Sequence, residues 1–304
     1  MTQLTPRAIP VVMIHTGYSP YLPYTLAQAK ATNPRSQIVL LGDRRNAFLN
    51  FVHHNDISNY FAAAKAFDQV YRNQHQSPNS YQYELLCFQR WFILKEFMEV
   101  NHIPVCLHID SDLMLYGNAT EEFDRIQAKH PKVEFTVHNR GCGHNSFITL
   151  SGIRKFCNLI METYTNPDLF EIIEQQQAKR RADRPHLPIE VLGGISDMSL
   201  LRRFCELYPD KIASTGEIIE SATFDFKIDS DSGGYEMENG LKKIQWRNRQ
   251  PFCKQLNSDQ WVRFNSLHFQ GGTKKHIDQY FKGNVLTVFY YKLTGRVLWK
   301  LQHS

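Results

Sequence analysis

The chain predicts an α/β fold, a mixed and mostly parallel sheet flanked by helices, in a single domain of two tightly joined halves. Three observations carry this expectation. Strand and helix signals alternate through the first half, the order that builds parallel sheets. The apolar run Val105 to Ile109 stops abruptly at Asp110-Ser111-Asp112, as a buried strand does when it delivers polar groups at its end. The 304 residues, 42% of them hydrophobic, suffice for one large core.

The elements follow in order. Ile9 to His15 form a β-rich run, and Leu22 to Ala31 have a helical pattern. Ile38 to Leu41 read as a short strand closed by Gly42-Asp43. Ile57 to Tyr71 and Tyr81 to Val100 have the spacing of amphipathic helices. Thr120 to Lys129 read as a helix with Glu121 and Glu122 in its first turn, where acids complement the helix dipole. Val133 to Val137 and Ser146 to Leu150 are short strands. Ser151 is placed to cap a helix running to about Tyr164. Asn166 to Pro188 are polar and charge-rich, and read as a surface excursion or lid. Leu192-Gly193-Gly194 is a close-approach turn, and Ser196 caps a helix to about Leu207. Between Ala222 and Trp246, two strand-like runs surround Asp231-Ser232-Gly233-Gly234 and Glu238-Asn239-Gly240, which are hairpin signals. Trp261 to Phe269 form a last strong strand. The tail, Val285 to Leu301, mixes aromatic and basic residues. It reads as a packed terminal strand and helix, with a peripheral membrane contact as the alternative. A boundary near residue 117 separates a first half (1–117), ending in the acidic motif, from a second (118–304).

Composition narrows the function classes. A formal net charge of +5 and a pI of about 8.8 fit an anionic ligand, but no basic run is dense enough to track nucleic acid. Mean hydropathy is -0.43, no apolar stretch reaches membrane-spanning length, and the N-terminal apolar segment is too short for a signal peptide. These features predict a soluble, cytoplasmic chain. The 6 cysteines are scattered without a C-x-x-C pair and read as reduced core residues. Cys142, in the polar turn Arg140-Gly141-Cys142-Gly143-His144, is weighed between a packed and a reactive thiol.

Two constellations carry chemistry. Asp110 and Asp112, two apart at a strand end, aim their carboxylates at the same side. Close anions raise each other's pKa unless a cation lies between them, and carboxylate oxygens suit Mn²⁺ or Mg²⁺. Ligands of open α/β sheets bind beyond the carboxyl ends of the strands. A metal holding an anionic ligand, a phosphate, is therefore expected there. The same tripeptide at Asp229-Ser230-Asp231 runs into Ser232-Gly233-Gly234 and reads as a turn; an EF-hand fails because Gly240 stands where a bidentate Glu is required. The second constellation is Leu267-His268-Phe269-Gln270-Gly271-Gly272-Thr273-Lys274. A histidine ends a strand, two glycines let the backbone approach a ligand, and Lys274 supplies a point charge for phosphate. With Asp110 and Asp112, this completes a metal-diphosphate site whose metal ligands are Asp110, Asp112 and His268.

An Asp-x-Asp after a strand, followed far downstream by His-x-x-Gly-x-x-Lys (here His268, Gly271 and Lys274), resembles the glycogenin-like and bacterial lipopolysaccharide galactosyltransferase family. That resemblance implies the GT-A, Rossmann-like fold, a UDP-sugar donor bound through Mn²⁺ (or Mg²⁺), and transfer with retention. The acceptor it implies is a glycan, a lipid-linked sugar or a small molecule. His15-Thr16-Gly17 resembles the family's nucleotide-contacting start, and Arg90 the helix arginine before the acidic motif. Asn145-Ser146-Phe147 resembles the Asn-x-Gly turn at the donor sugar, with Phe147 in place of glycine. Gly194-Ile195-Ser196-Asp197-Met198 resembles the Asp-Gln turn beside the sugar, with Met198 in place of glutamine. Asp197 and Asn145 are thus expected to hold the sugar, with Asp197 as base if the reaction inverts. Lys274 is expected to neutralise the departing diphosphate. Two alternatives accompany this reading. One is a nucleotide-sugar-binding protein without turnover. The other is a haloacid-dehalogenase-like phosphatase, which needs a threonine where Met114 stands.

Overall fold

The computed structural model describes residues 8–139, 141–188 and 193–303. The chain begins with β1 (Val11–Ile14), α1 (Leu22–Thr32), β2 (Ile38–Gly42) and β3 (His53–Asp56). A 3-10 turn, Ile57–Tyr60, leads to α2 (Ala62–Tyr71) and α3 (Tyr81–Val100). Next come β4 (Val105–Ile109), β5 (Leu113–Leu115) and α4 (Ala119–Lys129). β6 (Phe135–Val137), β7 (Asn145–Thr149), α5 (Leu150–Thr165), α6 (Pro167–Ala182), α7 (Asp197–Leu207) and β8 (Ile212–Ser214) follow. The last third holds β9 (Ala222–Phe224), β10 (Met237–Glu238), β11 (Leu241–Lys242), β12 (Gln245–Arg247), β13 (Gln250–Gln255) and β14 (Gln260–His268). A 3-10 segment, Gly271–His276, then precedes α8 (Ile277–Tyr280) and α9 (Val285–His303).

The expected α/β class is the observed one. Seven strands run in the order β3-β2-β1-β4-β7-β6-β8. The first four are mutually parallel, β7 is antiparallel to both β4 and β6, and β8 is parallel to β6. Both faces are apolar and covered. Phe67, Phe88, Trp91, Phe92, Phe156 and Phe204 fill one side, beneath α2, α3, α5 and α7. Leu22, Leu26, Leu107, Leu113 and Phe123 fill the other, beneath α1 and α4. A third cluster, with Met114, Tyr116, Phe264, Leu267 and Phe269, lies under a second sheet of order β12-β13-β14-β5, to which β9 adds by pairing with β14. One mostly parallel sheet was expected; the second sheet is a finding. β5 leaves the first sheet through the Asp110–Asp112 turn and pairs antiparallel with β14, so the acidic motif is the corner where the sheets meet.

Other departures have local causes. The expected helix Ile57–Tyr71 is split at Phe61, because Asp56 caps a separate 3-10 turn by accepting from the Ser58 N–H. β3 reads His-His-Asn-Asp and has no apolar alternation; it exists because its backbone pairs with β2 at the sheet edge. α3 is not amphipathic, since it is buried on nearly every face along Phe88–Met98. Thr149, not Ser151, caps α5. The excursion expected at Asn166–Pro188 is largely a helix: Asn166 caps α6 with Pro167 in its first turn, and Phe170, Ile173 and Gln177 are buried. Asn239 and Gly240, with φ of 52° and 77°, turn the β10–β11 hairpin, as the Asn-Gly pair predicts. The Asp231–Gly234 segment is a turn whose flanks do not pair with each other, since β9 pairs with β14. The tail forms one helix and no strand. Among the described residues, no helix is long and apolar enough to cross a membrane.

Candidate functional site

The site lies at the carboxyl ends of β1 and β4, where parallel strands present their loops. The Asp110 N–H donates to the His144 carbonyl at 2.9 Å, which ties the end of β4 to the start of β7. The Asp112 carbonyl accepts from the Phe269 N–H at 3.0 Å, and Leu113 faces His268 in the ladder. Backbone pairing therefore sets the acidic turn against the end of β14. One ligand atom each from Asp110, Asp112 and His268 falls within 4.8 Å of the others. No other such group of three occurs among the described residues, and Asp229 and Asp231 form none.

The donor set fits a divalent cation. His268 donates Nδ1–H to the Phe226 carbonyl at 2.8 Å. That fixes the tautomer and leaves Nε2 facing Asp112 Oδ1 at 3.4 Å, the orientation that second-sphere hydrogen bonds impose on metal-binding histidines. The His268 ring stacks on His144 at 4.3 Å and 10°, and His144 Nε2 is held by the Asp225 carbonyl at 3.0 Å. Lys274 Nζ lies 3.1 Å from Asp112 Oδ2 and 5.6 Å from the centre of the Tyr21 ring.

The electrostatics are those of closely packed opposite charges. Burial pushes the Asp110 carboxyl up, against the pull of Arg90. Burial opposes the Asp112 carboxylate as well, but His268 and Lys274 outweigh it and hold its pKa below the ordinary value. His268 is raised by Asp112 and Asp110 despite its burial. His15 is lowered to about 4, chiefly by burial, and is neutral at pH 7.

Arg90, from α3, binds two carboxylates at once. Nη1 reaches Asp110 Oδ1 at 2.8 Å and Nη2 reaches Asp197 Oδ2 at 2.6 Å. The indole of Trp91 also donates to Asp197 Oδ2, at 3.0 Å. Asp197 opens α7 as expected, yet its side chain is only 4% exposed and already holds two donors. Gly194 before it has a steric reason of its own: a Cβ there would lie 2.0 Å from the Gln76 carbonyl oxygen. Leu192 and Arg140, named above in turns, lie outside the described residues.

On the β1 loop, His15 Nδ1 lies 2.9 Å from Ser111 Oγ, which joins this loop to the acidic turn. Gly17, at φ 80°, donates its N–H to Asp43 Oδ2 at 2.8 Å, and Asn46 Nδ2 donates to the carbonyls of His15 and Gly17. Thr16 is exposed at the tip. Gly271 has φ 63° and open space around its missing side chain, which lets the chain double back so that Lys274 meets Asp112. Asn145 is apart from these. It pairs with Ile109 inside the sheet, is completely buried, and spends its amide on Thr215 and the Asp225 carbonyl. Phe147, two residues on, packs in the core against Phe123 and Phe224. Burial raises the Cys142 thiol to about 11, so it is not a thiolate at neutral pH.

Sequence reasoning missed Trp91, Ser111, Asp43, Asn46 and Asp225. Ser111 lay inside the quoted acidic motif, Trp91 stands next to Arg90, and Asp43 was placed only as a strand closure. Asp225 had no local signal.

No protein-family model matches the chain, and no curated protein does. Among solved structures it is similar to apo mouse xyloside xylosyltransferase 1 at 12% identity, covering 68% of this chain and 84% of that one, with a TM-score of 0.45. It is similar to the apo bifunctional glycosyltransferase WbbM at 10% identity, covering 96% of this chain and 52% of that one, with a TM-score of 0.49. Similarity to the galactosyltransferase LgtC, solved with donor and acceptor sugar analogues, is 11% in identity, over 68% of this chain and 73% of that one, with a TM-score of 0.36. The chain thus spans about half the length of WbbM. Likenesses this distant carry no argument about activity, which must come from the side chains.

Proposed function

We propose that this protein is a metal-dependent GT-A-type glycosyltransferase that moves a sugar from a nucleotide sugar, UDP-linked, to a glycan, lipid-linked or small-molecule acceptor. The observation that carries the reading is the convergence of Asp110, Asp112, His268 and Lys274 from two sheets onto one corner beside the β1 loop. A divalent cation held by Asp110, Asp112 and His268 would stabilise the charge that grows on a diphosphate as its bond to the anomeric carbon breaks. Lys274 adds a cationic contact to the same leaving group. Arg90 neutralises Asp110 and Asp197 together and so fixes the acidic turn relative to α7. His15, Thr16 and Gly17 line the nucleoside end, on a loop shaped by Asp43 and Asn46.

Asp197 supports transfer with retention over inversion. A general base must reach the acceptor hydroxyl, and the Asp197 side chain is only 4% exposed and locked in an ion pair with Arg90. Titration calorimetry tests the site. UDP binds in the presence of Mn²⁺, and Asp112→Asn removes that binding while the thermal midpoint is kept; equal affinity in the variant would refute the placement. Release of UDP from UDP-sugars tests turnover, and NMR of the first-formed product reads its anomeric configuration.

A further inference from the structure

Helix α9 is divided along its length. One face packs on the body: Val288 is buried, the Tyr291 ring lies 4.6 Å from Phe51, and Lys292 Nζ reaches the Tyr24 hydroxyl at 2.9 Å. Gly295 is close-packed as well, since a Cβ there would lie 2.5 Å from the Tyr18 ring. The opposite face is open among the described residues. Val285, Leu286, Phe289, Tyr290, Leu293 and Val297 are 46% to 79% exposed. Leu286, Phe289, Tyr290, Leu293 and Val297 follow the spacing of a single helical stripe. Isolated exposed apolar residues are ordinary, but a continuous stripe of them marks a contact surface.

The charge around the stripe selects its partner. From Gln279 to the last residue the sequence carries Lys282, Lys292, Arg296 and Lys300 and no acidic residue. A second copy docking through the same stripe would set two such cationic segments face to face. An anionic bilayer complements both the charge and the mixture of aliphatic and aromatic side chains, since Tyr and Phe suit the headgroup boundary. The basic side of the helix also continues to the site. A cleft of about 280 Å³, lined by Tyr21, Tyr24, Lys274, Lys275, Lys292 and the single acid Asp278, joins the lysine beside Asp112 to the lysine on α9.

We infer that the exposed stripe of α9 seats on an anionic lipid surface and holds the cleft leading to Lys274 beside the bilayer. That this serves an acceptor carried in the membrane rests on the glycosyl-transfer reading above; the docking itself does not.

Co-sedimentation of the full chain with vesicles tests it. The protein pellets with vesicles of phosphatidylcholine mixed with phosphatidylglycerol, stays in the supernatant with phosphatidylcholine alone, and is released by high salt. The Phe289→Glu/Leu293→Glu double variant binds the mixed vesicles at least about tenfold more weakly, with its circular dichroism and thermal midpoint unchanged. A full chain that ignores anionic vesicles, or a double variant that binds them equally well, overturns the inference. So does a dimer in sedimentation velocity that the double variant abolishes, because the stripe then belongs to a second copy. Vesicle binding is read without metal or nucleotide, so its failure is distinct from a failure of UDP binding.

Discussion

Asp225 shows how much of this site depends on a residue that touches no ligand. Its Oδ2 accepts the His268 N–H at 3.1 Å, and its carbonyl holds both His144 and Asn145. Its Oδ1 accepts no hydrogen bond; its partner is the Lys242 ammonium, 3.0 Å away but off the bonding direction, and both side chains are buried. Removing one charge of such a pair strands the other in the interior, at a cost of about 3–5 kcal/mol. Asp225→Ala is therefore expected to lower stability by that amount in urea unfolding, and to weaken Mn²⁺-UDP binding about 10–100-fold by releasing the main chain that carries His268. Adding Lys242→Met should restore stability but not affinity. If affinity returns as well, the Asp225 hold on the His268 main chain does not matter for binding. Lys274 is a different case, being 39% exposed and aimed at Asp112 from outside. Its contact strengthens as charge develops on the leaving group, so Lys274→Ala should lower kcat on the order of 100-fold and donor affinity much less. An unchanged kcat with weaker binding would remove it from the transition state.

At the level of elements, legibility follows the range of the signal. Both motif ends were readable because each is a strand followed within a few residues by its polar groups, as in Val105–Asp112 and Leu267–Lys274. That they meet was not readable, since it follows from β5 pairing with β14 across about half the chain. β3 was hidden because its ladder is made by backbone alone. α6 was hidden by its polarity, although Asn166-Pro167 is a start signal and Phe170, Ile173 and Gln177 repeat on one face. The cap is testable: Asn166→Ala removes the acceptor of the Asp168 N–H and should cost about 1 kcal/mol in chemical denaturation. Gly194→Ala should cost about 1–3 kcal/mol, because the added methyl meets the Gln76 carbonyl and neither backbone can retreat easily. A stable Gly194→Ala protein would mean that the glycine pair serves the ligand and not the packing.

For the molecule as a whole, burying so many polar side chains around one corner makes stability depend on pH. Burial lowers His108 to about 3, and His15 and His138 to about 4, from an ordinary 6.5. His108 cannot be relieved by a partner on its second nitrogen, because Nε2 has none while Nδ1 meets the Val12 carbonyl at 3.2 Å. Below pH 6.5 the unfolded chain takes up protons on these rings and the folded chain does not. Folding is then opposed, by about 1.4 kcal/mol per pH unit for each such histidine, until the folded values near 3 to 4 are reached. His268 acts in the opposite sense and in another window: its pKa is raised by Asp112 and Asp110, so its contribution is lost as pH rises above 6.5 through the raised value and leaves the slope below 6.5 unchanged. Stability should therefore be highest near neutral pH and fall steadily from pH 6.5 towards 4, a decline that begins well above the range where ordinary carboxylates titrate. Urea midpoints taken across that interval measure the slope. His108→Gln should flatten it by about one histidine's share, roughly 1.4 kcal/mol per pH unit. A wild-type midpoint constant across the interval would mean that these rings gain protons inside the fold, and that the polar corner is wetter and looser than its packing requires.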